Sequence, residues 1–257
     1  MELSWLPRIA GSLTLVVLAA GISRWQRVGL EKDMLVAVGR AFVQLIAIGY
    51  ALDLIFSNKN PFWILVVVGV MVTVAAYTAG QRGKRIPNST MVAAASVGAG
   101  VVLTLGLLIA LRVFPFEPQY IIPIAGMIVG NTMVVTGLVM SRLYDDLKLQ
   151  RARVEAALAL GATSRQAAGM QLRQALATGM TPIVDSTKTV GLIALPGAMT
   201  GMILAGASPL EAVQLQLIVM YMLVGAAAFS GITAVFLTYP QFFSKAHQLK
   251  AAVFVDE

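Results

Sequence analysis

Long apolar runs separated by short polar connections fill the chain to about residue 237. A helix that crosses a bilayer needs about 20 mostly apolar residues. The stretches 5–22, 39–56, 61–79, 91–111, 121–140, 182–205 and 213–237 meet that need. Their connections carry turn and cap chemistry. Asn60 before Pro61 reads as an N-cap followed by a first-turn proline. Ser208, Pro209 and Glu211 have capping-box spacing with proline at the first helical position. Residues 25–38 are amphipathic and are expected to lie along the interface before the second span begins. The pattern predicts an all-α, polytopic integral membrane protein of about seven transmembrane helices. No internal repeat, low-complexity tract or soluble domain interrupts it.

Composition removes the soluble alternative. Of 257 residues, 58% are hydrophobic and 12% charged, against about 25% charged in soluble domains. A water-exposed surface cannot be built from so few polar groups, whereas lipid tails solvate apolar side chains. The net charge of +7 sits in short clusters between spans, so it reads as a topology signal and not as a nucleic-acid surface. One alternating set of connections holds Arg24, Arg27 and Lys32; Arg82, Lys84 and Arg85; Arg142, Lys148, Arg151, Arg153, Arg165 and Arg173; and Lys245 and Lys250. The opposite set holds only Arg8, Lys59 and Arg112. The positive-inside bias puts the first set in the cytoplasm. The N-terminus is then outside and the C-terminus cytoplasmic, which an odd number of spans satisfies. The first apolar run lacks the basic start of a signal peptide and carries Glu2, so it is read as a retained span. Cysteine is absent and His247 is the single histidine, which excludes a disulfide framework and a histidine-built Zn site within one subunit.

The polar piece at about 141–179 is the most informative. Arg151 and Glu155 are four apart and can pair on a helix face. Gly161 suits the left-handed residue that ends a helix. Thr163 and Gln166 have capping-box spacing, so a second helix can start at once. The prediction is helix, sharp turn, helix. Small residues at Ala156, Ala157, Ala159, Gly161 and Ala162 allow another backbone to approach closely. A basic hairpin lying on the lipid surface has the same elements. The run Glu155-Ala156-Ala157, three residues, then Gly161 resembles the "EAA" coupling loop of ABC transporter permeases. The chain departs from the importer form of that motif at Gln171, Arg173 and Gln174.

Further segments resemble the FetB (YbbM) family of ABC transporter permeases, associated with iron export. They are Leu30-Glu31-Lys32-Asp33 with residues 38–45, residues 122–131, and Val184-Asp185-Ser186-Thr187-Lys188-Thr189-Val190-Gly191-Leu192 with residues 195–201. The resemblance covers most of the chain in order. It implies a single permease domain over residues 1–257 in the inner (plasma) membrane. It implies a separate cytoplasmic ABC ATPase docking on Glu155, Ala156, Ala157, Gly161, Ala162 and Thr163, and a homodimer of permeases with two ATPases. Plant relatives of the family are linked to aluminium tolerance and to sugar-nucleotide transport, so an organic solute stays open as cargo, as does a self-contained secondary transporter. The chain carries no GxxxxGK[ST] loop: Gly83-Lys84 is followed by Arg85, and Thr78 stands where the first glycine belongs. No cofactor is therefore assigned to this chain, ATP and Mg²⁺ belong to the partner, and the chain is read as a non-catalytic subunit.

Polar residues inside spans supply the candidate pathway. Asp185 and Lys188 are three apart and can neutralise each other, either as a tolerated pair or, with Ser186, Thr187 and Thr189, as the lining of an inner mouth. Asn131 follows Gly126 and Gly130, where small-xxx-small spacing permits close helix approach. Its amide either bonds a neighbouring helix or faces cargo. Pro196 with Gly197 and Gly201 interrupts the sixth span, as in helices that line transporter cavities. Arg40 and Gln44 share a face, with Arg40 read as an interfacial anchor. Methionines scattered over the spans read as core fillers, and no metal ligand set is assigned.

Overall fold

The computed structural model describes residues 6–57, 60–250 and 254. The chain divides into two compact units, Met1–Lys59 and Asn60–Glu257. In the first, α1 (Leu6–Trp25) and α2 (Glu31–Ser57) form an antiparallel pair. Their turn is built around Ser23. Its carbonyl accepts from the Val28 N–H at 2.9 Å and its hydroxyl from the Leu30 N–H at 3.2 Å. Arg27 (φ 55°) and Gly29 (φ 81°) reverse the chain. The expected interfacial stretch over 25–38 is not a separate element. α2 is already helical at Glu31 because Glu31 and Asp33 occupy its first turn, where carboxylates complement the positive end of the helix dipole. Apolar side chains such as Leu45 and Leu54 stay exposed on α2, which suits a lipid solvent.

The second unit holds α3 (Phe62–Arg82), α4 (Ser89–Ala110), α5 (Pro118–Leu149), α6 (Arg151–Ala159), α7 (Ser164–Ala167), α8 (Gly169–Thr189), α9 (Gly197–Leu204) and α10 (Pro209–Thr238), which ends in a 3₁₀ turn over Tyr239–Phe242. Among the described residues, α2, α3, α4, α5 and α10 are long and apolar enough to cross a membrane, and α1 carries a shorter apolar stretch over Ala10–Trp25. The cap predicted at Ser208 is in place, while the N-cap position of α3 falls on Pro61, one residue after the predicted Asn60. Asn60 Oδ1 accepts from the Phe62 N–H at 3.0 Å, and Ser208 and Glu211 form a full capping box. The predicted span over 182–205 is not one helix. Helix is lost over 190–196, where Gly191 has φ 79° and its N–H bonds Ala194 O. Two causes coincide. The Thr189 hydroxyl turns back onto Asp185 O, offering the helix end a side-chain partner. Pro196 lacks an N–H and disfavours helix at Leu195.

α5 is the central element, packing against α3, α4, α8 and α10. One core joins Val135, Val139, Met140, Leu143 and Leu147 to α8 and α10. A second joins Ile124, Ala125, Ile128 and Val129 to α4 and α10. Met140, Met220 and Met222 are buried in these cores. The closest helix approach is not at the predicted Gly126 and Gly130, whose Cβ positions meet nothing nearer than Met71 Cε at 3.9 Å. Close approaches lie instead at Gly179, where a Cβ would run into Val139 Cγ2 and α8 presses on α5, and at Gly100, where a Cβ would sit 2.7 Å from Thr132 Cγ2 and 2.9 Å from Ser230 Cβ, so α4, α5 and α10 meet there. Thr132 Oγ1 donates to Val129 O and Ser96 Oγ to Val92 O, each within its own helix, whereas the buried Thr104 and Thr136 hydroxyls have no partner among the described residues.

Candidate functional site

α5 continues past its apolar stretch to Leu149 and passes through Gln150 directly into α6. α6 is mostly exposed or half-buried, and Val154 is its one buried residue. That side chain, fully buried, joins the core with Tyr144, Leu147, Ala168 and Phe242. Arg151 Nε donates to Glu155 Oε1 at 2.7 Å across the exposed face, as the spacing predicts. The helix closes at Gly161, φ 90°, with the Ala162 N–H bonding Ala157 O at 3.1 Å. This is the bond pattern of a glycine-terminated helix. Thr163 then starts α7 through a complete capping box: the Gln166 N–H donates to Thr163 Oγ1, and the Thr163 N–H to Gln166 Oε1 at 2.9 Å. The N–H groups of Gly161, Ala162, Thr163, Ser164 and Gln166 each have a partner, and these bonds hold the turn between α6 and α7.

The C-terminal segment straps this hairpin. His247 Nδ1 accepts from the Ser164 N–H at 3.3 Å and lies 2.8 Å from the Ser164 hydroxyl. Phe242 and Phe254 stack at 5.7 Å, Tyr144 joins them at 5.8 Å from Phe254, and the Arg85 guanidinium lies 5.6 Å over Tyr144. Between α6 and the strap runs an open groove of 480 Å³ lined by Glu155, Leu158, Ala159, Gly161 and Ala162 on one side and residues 246–249 on the other. Three of the predicted docking residues, Glu155, Gly161 and Ala162, therefore share one groove. Ala156 is exposed on α6, Ala157 is half-buried and Thr163 caps the turn. The strap was missed by sequence reasoning. Ser164 and His247 are 83 positions apart, and nothing local marks them as partners.

The polar residues assigned to the pathway fall in two places. Asp185 and Lys188 pair at 3.5 Å near the end of α8, with both side chains well exposed. Ser186 is exposed beside them, and the Thr187 hydroxyl donates to Ile183 O. Pro196 is the N-cap of α9, just past the interruption. Asn131 is elsewhere: its Nδ2 donates to Leu223 O at 2.9 Å, tying α5 to α10. Among the described residues, no group of three or more His, Asp or Glu is placed to hold a metal ion.

A bundle of apolar helices with a capped polar hairpin on the end of its longest helix defines a polytopic α-helical membrane protein. The chain belongs to the family described as Uncharacterised protein family (UPF0014), whose model matches residues 6–243. It is 55% identical to the UPF0014 membrane protein STAR2 of Oryza sativa subsp. japonica, covering 94% of this chain and 85% of the relative. It is 53% identical to Protein ALUMINUM SENSITIVE 3 of Arabidopsis thaliana, covering 96% and 91%. It is 40% identical to the Probable iron export permease protein FetB of Escherichia coli (strain K12), covering 94% and 93%. The family resemblance carried by residues 30–45, 122–131 and 184–201 is thus upheld over nearly the full chain. No solved structure matches the chain.

Proposed function

We propose that this chain is the membrane-spanning, non-catalytic permease subunit of an ABC transporter, exporting iron or a related metal ion. A separate cytoplasmic ATPase binds ATP and Mg²⁺ and docks on residues 155–163. The assembly is a homodimer of permeases with two ATPases, since closed twofold assembly is the common solution, in the inner (plasma) membrane. The observation that carries this reading is the construction of the hairpin. A short helix offers a small-residue surface, both sides of its turn are closed by specific caps, and Val154 locks it onto the end of α5. Such an element passes displacement to a packed core instead of absorbing it. The name of one relative gives iron export as that protein's task and the name of another refers to aluminium, which supports a metal cargo.

The test is co-purification with a candidate ABC ATPase, followed by reconstitution in vesicles. Iron(II) is expected to stimulate ATP hydrolysis and to move across the membrane. Stimulation by a sugar nucleotide instead would assign an organic cargo. Failure to associate with any ATPase would remove the motor. Asp185→Asn in the assembled complex is expected to impair flux, because it removes the carboxylate of the exposed pair on α8 and leaves Lys188 uncompensated. Unchanged flux would take that pair out of the pathway.

A further inference from the structure

Where α7 and the start of α8 pass the last turns of α10, the surface opens into a groove of 250 Å³. Leu172 and Val235, both buried, form its floor. Arg165 of α7 lies with its guanidinium 5.0 Å over the Phe236 ring, while Leu176 of α8 abuts Gly231. The groove therefore runs along α10, with Arg165 at Phe236 and Leu176 at Gly231. Arg173 lines it one turn before Leu176. No Asp or Glu lines it, and among the described residues neither guanidinium is in an ion pair. Its outer walls, Ile232 and Phe236, are 44% and 43% exposed. They sit near the end of a helix long and apolar enough to cross a membrane.

Two guanidinium groups lining one exposed apolar groove match one kind of molecule, an amphiphile with an anionic head. Guanidinium forks bind phosphate oxygens in pairs, and basic pockets between helices near the membrane surface take acidic headgroups. A free phosphate would leave the apolar walls in water. We propose that this groove is a binding site for one anionic phospholipid, with its phosphate between Arg165 and Arg173 and its first acyl carbons on Leu176, Ile232 and Phe236. Arg165 lies on α7, between the Thr163 cap and the residues that follow it. The bound lipid thereby braces the hairpin at Arg165, next to Ser164, which His247 holds by a hydrogen bond. The site requires only that the chain be in a membrane, so it stands or falls separately from the transport reading.

The test uses the full chain in nanodiscs of phosphatidylcholine doped with phosphatidylglycerol, with bound lipid counted by native mass spectrometry. Wild-type protein is expected to retain one phosphatidylglycerol in preference to phosphatidylcholine. R165Q/R173Q is expected to lower that preference roughly thirtyfold, the effect of two cations at a charged surface. I232W, which fills the groove from its apolar wall and leaves both cations, is expected to lose retention of the lipid while keeping its fold. R153A, outside the groove, is expected to retain the wild-type preference. Equal retention of both lipids by wild type, or an unchanged preference in R165Q/R173Q and I232W, overturns the proposal. Because the chain has no cysteine, an I232C variant reports on a competing occupant. Complete disulfide dimerisation through that residue assigns the groove to a second copy of the chain and overturns the lipid site.

Discussion

The α6–α7 hairpin and the interruption between α8 and α9 each turn on a glycine at positive φ, Gly161 at 90° and Gly191 at 79°, but their surroundings are opposite. At the hairpin, an ion pair, a glycine cap, a capping box, a buried valine and the His247 strap all favour one geometry. At the interruption, Leu192 and Ile193 are more than four-fifths exposed, α9 buries no residue, and the loop is closed by the Gly191 N–H to Ala194 O bond and bonds back to Thr189 O. The hairpin is specified by polar contacts that work in water. The interruption presents apolar side chains, and only a non-aqueous neighbour stabilises that arrangement. Local geometry is thus over-determined where the chain leaves the apolar region and left to the surroundings where it stays within it.

The largest expected effect comes from breaking the hairpin's anchor. Val154→Asp places an unpaired carboxylate among Leu147, Tyr144 and Phe242, at a cost of about 3 kcal/mol. Limited trypsin digestion is expected to cut at Arg151 and Arg153 in this variant well before wild type. Leu192→Asp, on the exposed interruption, is expected to leave that cleavage pattern unchanged. Gly161→Val comes next, because a β-branched residue at φ 90° is strained by about 1–3 kcal/mol. The same change at Gly191 is expected to lower the thermal midpoint less, since little around it resists a change of backbone angle. Thr163→Ala removes half of the capping box and costs about 1 kcal/mol, read as faster amide hydrogen exchange at the first residues of α7. Glu155→Gln is the smallest for stability, within about 0.5 kcal/mol for an exposed i,i+4 pair. Its melting curve is expected to overlay wild type, while stimulation of a bound ATPase falls. Equal loss of both would make Glu155 structural.

What was legible in the sequence follows the same division. The turn at Gly161, the cap at Thr163, the Arg151–Glu155 pair and the box at Ser208 are short-range polar chemistry, and each was readable from spacing alone. Pro196 marked an interruption of the sixth span, but the loss of helix from residue 190 onward was not readable. The apolar run through Leu192, Ile193 and Leu195 satisfies a spanning pattern, and hydropathy does not register which backbone bonds are absent. The Gly126/Gly130 spacing was visible, yet the tight contacts fall at Gly179 and Gly100, because spacing does not say which face a helix turns toward its neighbours. Asn131 was singled out by its rarity in a span. Its bond to Leu223 depends on α10, 92 positions away in sequence, beyond any local pattern.

α5 runs unbroken for 32 residues, about 48 Å at 1.5 Å per residue, well beyond the roughly 30 Å of a hydrocarbon core. Its hydrogen bonds lie along its axis and its only internal proline, Pro123, is near the far end. Axial compression is stiff in such a rod and bending is resisted by neighbours on several sides. The hairpin at Leu149 and the Asn131 amide bond to Leu223 of α10 are therefore carried on one stiff rod, within the same packed contact between α5 and α10.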